Sequence, residues 1–256
     1  MIELSHLSYS SISLYQACPR AWRYRYVDKV KTPTAPALVF GSAFHATIEN
    51  VLRANVAGET VDSTAIWMAE WQRVQEQEIA WNGDLPEALA AEGARMIASP
   101  TSRDLLASLA PLIEDGAPVI EKRIELRVPG VPVPVLGFID LITAEGVPCD
   151  FKTSARAWAA DKAAKEEQPT YYLAALNQLG FTLNPERKFS HLVWTKGRNP
   201  KAEVFTTTRS VADMFRLFAN VKTIWDSIQA ELFPTNTTTW KCGKYCDYYA
   251  GCQGKA

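Results

Sequence analysis

The sequence predicts an α/β fold, and three observations predict it. Helical periodicity fills the first stretch of the chain. Three apolar segments separated by Gly and Pro turns then follow, and after them come a helix, two further strands and a last long helix. At 256 residues with 47% hydrophobic content the chain carries enough apolar material for one substantial core. No internal repeat, low-complexity tract or clear linker divides it, so a single domain is expected.

The helical part begins with "SYSSISLYQACPRAWRYRYV", which reads as a short helix from about Ser11 to Ala17 and a second one restarted by Pro19. Proline suits a first helical position because its missing N–H would be unsatisfied there anyway. Arg20, Arg23 and Arg25 make the outer surface of this region basic. In "VFGSAFHATIENVLRANV", Phe40, Phe44, Ile48, Val51 and Leu52 recur at helical spacing, and His45 and Glu49 lie one turn apart. A further long helix is expected over Ser63 to Trp81, and one or two more over Pro86 to Leu112.

The pattern changes after Gly116. "APVIEKRIELRVPG", "PVPVLGFIDLITAE" and "GVPCDFKTS" read as three strands of an antiparallel meander. "EEQPTYYLAALNQLGF" resumes helical spacing, with Tyr172, Leu173, Leu176 and Leu179 as an apolar stripe and Gly180 ending it. "FSHLVWTK" and "KAEVFTTT" are two more strands, "SVADMFRLFANVKTIWDSIQAEL" is a long amphipathic helix, and the Thr-rich "FPTNTTTW" is a loop leading to the terminal cysteines.

Charge narrows the function classes. The 27 basic and 28 acidic groups give a formal charge of −1, which argues against an obvious nucleic-acid binder. The distribution says otherwise. Glu59 to Glu92 holds eight acids and one base, leaving 26 bases against 20 acids elsewhere, so an acidic helical region masks a basic remainder. No stretch reaches the roughly 18 apolar residues of a membrane helix, and "MIELSHLSYSS" lacks a basic region followed by an apolar one, so a cytoplasmic location is expected. Five cysteines in such a chain do not suggest a disulfide framework. Cys242, Cys246 and Cys252 crowd the end, which favours a metal, whereas Cys149 is expected to be a buried small apolar residue.

The chemistry concentrates in "VPCDFKTS". Side chains two apart on a strand share a face, so Asp150 and Lys152 point together while Phe151 enters the opposite layer. A half-buried charged pair is either a costly ion pair or a reaction site. Asp140, between Ile139 and Leu141 on the preceding strand, is a second carboxylate that needs compensation. Asp140 and Asp150 could share one hard divalent cation, with Lys152 beside a metal-bound water. Alone, each residue has a plainer reading: His45 as a packed helix histidine, Asp150 with Lys152 as a structural ion pair, Gln168 as a helix start and Tyr172 as core. "TKGRNPK", with Lys196, Arg198 and Lys201, is a solvated turn or a phosphate-tracking one. Trp158, Tyr171 and Trp194 are core residues or bases' stacking partners.

In combination these residues resemble the PD-(D/E)XK nuclease superfamily, in the branch of RecB nuclease domains, AddB and Cas4-like exonucleases. Its four motifs are matched in order by "GxxxH" at Gly41 to His45 with Glu49 following, "GxxD" at Gly137 to Asp140, "(D/E)xK" at Asp150 and Lys152, and "QxxxY" at Gln168 and Tyr172. The resemblance implies a restriction-endonuclease-like mixed central sheet flanked by helices. It implies Mg2+ or Mn2+ held by His45, Asp140, Asp150 and the Phe151 carbonyl, with Glu49 orienting His45. Lys152 would place the attacking water, and Gln168 and Tyr172 would contact the scissile strand.

The same branch implies a 4Fe-4S cluster on Cys18, Cys242, Cys246 and Cys252, although the gap between Cys242 and Cys246 is three residues where the family pattern has two. Structural zinc is the other metal four thiolates would suit. The organisation that follows has residues 1–36 and 233–256 as the iron-sulfur elaboration, 37–115 as the helical region and 116–232 as the nuclease core. The implied activity is metal-dependent exonucleolytic hydrolysis of DNA, with single-stranded ends and 5′ to 3′ action favoured. Homo-oligomers or recombination and CRISPR partner proteins are conceivable companions. The alternatives are a non-catalytic iron-sulfur DNA-binding subunit of a recombination complex, and a metal-stapled interaction protein without DNA.

Overall fold

The computed structural model describes residues 2–243 and 245–253. Met1, Lys244 and Gly254 to Ala256, which the terminal segments 1–36 and 233–256 include, lie outside them. The elements run β1 (Leu7–Ser8), α1 (Tyr9–Ala17), α2 (Pro19–Tyr26), α3 (Pro36–Val56), α4 (Ser63–Val74), α5 (Pro86–Ile97), α6 (Pro100–Ser108), β2 (Ile113–Glu114), β3 (Ala117–Pro118), β4 (Ile120–Leu126), β5 (Val135–Ile142), β6 (Pro148–Ser154), α7 (Lys162–Lys165), α8 (Gln168–Gln178), β7 (Lys188–Thr195), β8 (Lys201–Thr208), α9 (Val211–Gln229) and α10 (Tyr249–Cys252). Among the described residues no helix is long and apolar enough to cross a membrane.

Local chemistry sets the helix starts. Ser8 and Ser11 form a capping box on α1, Ser210 and Asp213 form one on α9, and the Asp62 carboxylate accepts the backbone N–H groups of Thr64 and Ala65 at α4. Helix α4 stops at Val74, short of the expected Trp81. The Gln75 and Gln77 side-chain amides donate to the carbonyls of Trp71 and Val74, and the chain then extends so that Ile79 bridges to Thr34 and Trp81 packs edge-on against Trp71. Pro86 to Leu112 divides into two helices because Pro100 cannot continue a helix and the Ser99 hydroxyl accepts the Ser102 N–H to begin a new one. In α5, Gly93 lies flat against the Trp67 indole, which leaves no room for any side chain. The apolar stripe of α8 ends at Leu176, since Leu179 falls after the helix and is exposed.

The main sheet is mixed. β4, β5 and β6 form the expected antiparallel meander, β7 runs parallel to β6, and β8 returns antiparallel on β7. Two cores sandwich it. On one face Ile124, Val135 and Ile139 pack with α1, α8 and α9. On the other, Leu141, Phe151, Leu192 and Trp194 pack with Phe40, Phe44 and Trp67 of the helical region.

The register of β5 opens a gap. One edge of β5 pairs in parallel with β1 at Val135 and Leu136 and in antiparallel with β6 at Leu141 and Ile142. Among the described residues no ladder pair on that edge serves Gly137 to Asp140. On the other edge, β4 pairs Ile120 with Leu141 and Lys122 with Ile139, passing over Glu121 and Asp140. Asp140 therefore sits where the sheet splits.

The two chain ends meet beside α1 and α2. Trp22 stacks on Phe233 at 5.7 Å, the Tyr15 hydroxyl donates to the Leu232 carbonyl at 2.6 Å, and Asn236 donates to the Ala17 carbonyl at the end of α1.

Candidate active site

At the split, the β6 backbone turns to a side chain for its partner. The Phe151 N–H, which the β5 ladder would have engaged, donates to Asp140 Oδ2 at 2.5 Å, and Phe151 itself points into the helical-region core. His45 on α3 brings Nδ1 to 3.6 Å from the same carboxylate oxygen, with its ring edge-on to Phe151 at 5.7 Å. Burial works against a charged imidazole, but the hydrogen bond and charge of Asp140, with help from Asp150, outweigh it and hold the His45 pKa above its ordinary value.

Asp150 and Lys152 share a face as expected. Lys152 Nζ donates to Asp150 Oδ1 at 2.7 Å and to Gln168 Oε1 at 3.0 Å, while Gln168 Nε2 donates to Asp150 Oδ1 and to the Tyr172 hydroxyl, both at 2.8 Å. Burial alone would raise the Asp150 carboxyl, but the Lys152 charge and the bonds from His191 and Lys152 bring it below the usual range. Burial and the nearby Asp150 push the Tyr172 phenol far above its ordinary value, so it stays protonated. The Gly137 position explains itself here, because a Cβ would stand 2.9 Å from Tyr172 Cε1.

Gln168 and Tyr172 are buried, and Gln168 bonds Asp150, Lys152 and the Tyr172 hydroxyl, so the pair holds Asp150 and Lys152 in place. Glu49 does not turn to His45. It pairs with Arg53 one turn on, with Nη2 to Oε1 at 2.9 Å.

Three residues that the sequence did not flag join the site or its supports. Glu121 has a left-handed φ of 55°, a strained value for a residue with a side chain, and this kink aims its carboxyl at Asp140. Partial burial first, then the negative charges of Asp140 and Glu49 and a hydrogen bond with Asp140, push the Glu121 pKa up to about 7. His191 is fully buried beside Asp150, with Nδ1 3.1 Å from Oδ2. Arg209, also buried, donates to the hydroxyls of Thr170 and Thr207 and to the carbonyls of Ala163, Ala164, Glu166 and Thr208, tying the α7 segment to the start of α8. Glu121 reads in sequence as one more polar position of an alternating strand. His191 and Arg209 read as ordinary strand and loop residues.

Elsewhere the plainer readings hold. Trp194, Tyr171 and Cys149 are core residues, and burial raises the Cys149 thiol well above its usual range. Trp158 covers His191, with ring centroids 5.1 Å apart. Lys196 is not a solvated turn residue: its Nζ lies 3.7 Å from the centroid of the Phe40 ring and 4.0 Å from Glu92. Arg198 and Lys201 are exposed.

Cys18, Cys242, Cys246 and Cys252 are free thiols lining one cavity of about 210 Å3, together with Tyr24 and Arg20. Burial and the neighbouring Cys18 and Cys242 raise the Cys246 thiol, while a backbone hydrogen bond at Tyr248 opposes the rise. Among the described residues no group of three or more His, Cys, Asp or Glu side chains is drawn together as a metal site, either here or at the sheet split.

A family model described as the PD-(D/E)XK nuclease superfamily matches residues 6–253. The chain is also similar to the 2.19 Å crystal structure of a candidate exonuclease from Eubacterium rectale. The TM-score is 0.61, with 13% identity over 95% of this chain and 88% of that one, a likeness of fold. No curated protein matches the sequence.

Proposed function

The chain belongs to the PD-(D/E)XK nuclease superfamily, and from that premise we propose that it is a divalent-metal-dependent exonuclease acting on DNA ends, of the RecB, AddB and Cas4-like iron-sulfur branch. The observation that carries the reading is that Asp140, 3.6 Å from His45, is bonded to the Phe151 N–H between Asp150 and Lys152, the two residues that Gln168 ties into one network.

The donor chemistry fits a hard cation. Asp140 lies near His45 and is bonded to Glu121, and burial followed by the negative charges of Asp140 and Glu49 outweighs the opposing charge of His45, so the Glu121 pKa is held up at about 7. Asp140, Asp150, His45 and the Phe151 carbonyl would hold Mg2+ or Mn2+, with Glu121 as a further oxygen donor. Bound there, the cation would polarise a phosphoryl oxygen and make water a better nucleophile.

The chain's own residues do the positioning. Lys152, anchored by Asp150 and Gln168 yet 31% exposed at its side chain, can donate to a phosphate oxygen or hold the attacking water. Gln168 offers its carbonyl oxygen to Lys152 and its amide to Asp150, so one side chain fixes both. The Tyr172 hydroxyl, protonated at all relevant pH, accepts from Gln168 and keeps that amide from rotating. Gly41, one turn before His45, opens onto free space and so leaves room for a strand to approach.

The iron-sulfur half of the proposal is supported by the four free thiols on one cavity and by the contacts that bring Cys18 to the C-terminal segment. Such a cluster would join residues 1–36 to 233–256, outside a helical region at 37–115 and a nuclease core at 116–232. The test is end-labelled single- and double-stranded DNA with Mn2+, using wild type and Lys152→Ala. Short products that require metal and fall by about 10²-fold or more in the variant are expected. A wild type that retains DNA without cutting it, or a Lys152→Ala protein as fast as wild type, would overturn the assignment.

A further inference from the structure

We propose that His191 is a positioning residue for Asp150: its Nδ1–H, held in a closed aromatic slot, fixes the carboxylate in the orientation from which it binds the metal. The inference rests on the nuclease reading above.

His191 and Asp150 are lateral neighbours in the parallel β6–β7 ladder, so the backbone itself sets the two side chains side by side. The imidazole is 0% exposed and lies between Trp158 and Phe189, each with its centroid 5.1 Å away. Nδ1 is 3.1 Å from Asp150 Oδ2. Since an ionised carboxylate only accepts, Nδ1 carries the proton.

Nε2 is buried and has no partner among the described residues. Leaving a buried polar nitrogen unsatisfied is unfavourable, and a leucine or phenylalanine would fill an apolar slot without that penalty. The only polar contact the ring makes among the described residues is with Asp150, so that contact is what distinguishes histidine from an apolar residue at this position.

The other donors to Asp150 have further duties. Lys152 is partly exposed and is the group that would engage substrate, and Gln168 is shared among Lys152, Asp150 and Tyr172. When Lys152 turns to a phosphate, the bond from His191 remains. Hydrogen-bonded supports of this kind behind a ligating carboxylate are worth about 10–100-fold in metal affinity or activity.

The experiment compares wild type, His191→Leu and His191→Asn, with Mn2+ affinity measured calorimetrically without DNA and kcat and KM measured on labelled DNA. Mn2+ binding weaker by about 10–100-fold in His191→Leu is expected, with kcat falling, KM for DNA unchanged and substantial recovery in His191→Asn, whose amide can donate from a similar place. Equal Mn2+ affinity in wild type and a folded His191→Leu protein, or equal losses in both variants, would overturn the role of His191 while wild-type cleavage leaves the nuclease reading standing. A wild type that neither binds Mn2+ nor cuts DNA overturns both. NMR of 15N-histidine-labelled wild type gives a readout independent of how the variants fold: an Nδ1–H tautomer whose signal moves in Asp150→Asn supports the proposal, and a neutral Nε2–H tautomer ends it.

Discussion

Replacing Gly137 by alanine tests the packing that underlies the site. Its Cβ would meet Tyr172 Cε1 at 2.9 Å and Ile124 carbons at 3.5 and 3.6 Å. Carbon atoms prefer about 3.5–4.0 Å, so the Tyr172 contact falls short by more than half an ångström while the Ile124 contacts are tolerable. The phenol ring cannot simply swing away, because it is buried against Phe189 and its hydroxyl is bonded to Gln168. Overpacking of this kind costs about 1–3 kcal/mol, and about 1 kcal/mol more if the Gln168 bond breaks. A central value of about 2 kcal/mol lowers the melting temperature by about 4–8 °C in a domain of this size. Urea denaturation of wild type, Gly137→Ala, Tyr172→Leu and the double variant measures the coupling directly. Once the ring is gone the alanine should cost little, giving a coupling of about 1–2 kcal/mol. If the alanine costs as much beside leucine as beside tyrosine, the ring is not the reason for the glycine.

The remaining predictions address the supports and the charges. Arg209→Met strands the carbonyls of Ala163, Ala164 and Glu166 without a buried donor, so it should cost about 2–4 kcal/mol and raise hydrogen exchange in α7 and the start of α8 before β4 to β6; uniform loss of protection would refute this local role. Glu121 binds its proton more tightly when folded, from an ordinary 4.5 to about 7. The metal-free protein should therefore lose stability as pH rises from about 5 to 8, and Glu121→Gln should flatten that slope. His45, raised as well, acts in the same direction, which makes the difference between wild type and Glu121→Gln the decisive quantity; parallel slopes would sink the assignment. Cys18→Ala should lose bound iron and sulfide and the brown colour that accompanies them, while unchanged iron content would remove Cys18 from the ligand set.

The legible part of the site was that in which chemistry constrains residue type over a few positions. Asp150 and Lys152 share a face because a strand has period two, and Gln168 and Tyr172 share one because they are a helical turn apart; the structure joins all four. Glu49 shows the limit of that logic. Its spacing serves His45 and Arg53 equally well, and only side-chain geometry selected Arg53.

By itself the sequence determined the elements, their order and the residue types gathered near Asp140 and Asp150, because periodicity and turn chemistry act over neighbouring residues. Tertiary structure alone decided that β5 and β6 part at Asp140, that a left-handed kink brings the Glu121 carboxyl to Asp140, and that His191 stands behind Asp150. These depend on strand register and on pairing between residues far apart in the chain, and no local pattern encodes which two distant strands become neighbours or where their ladder breaks.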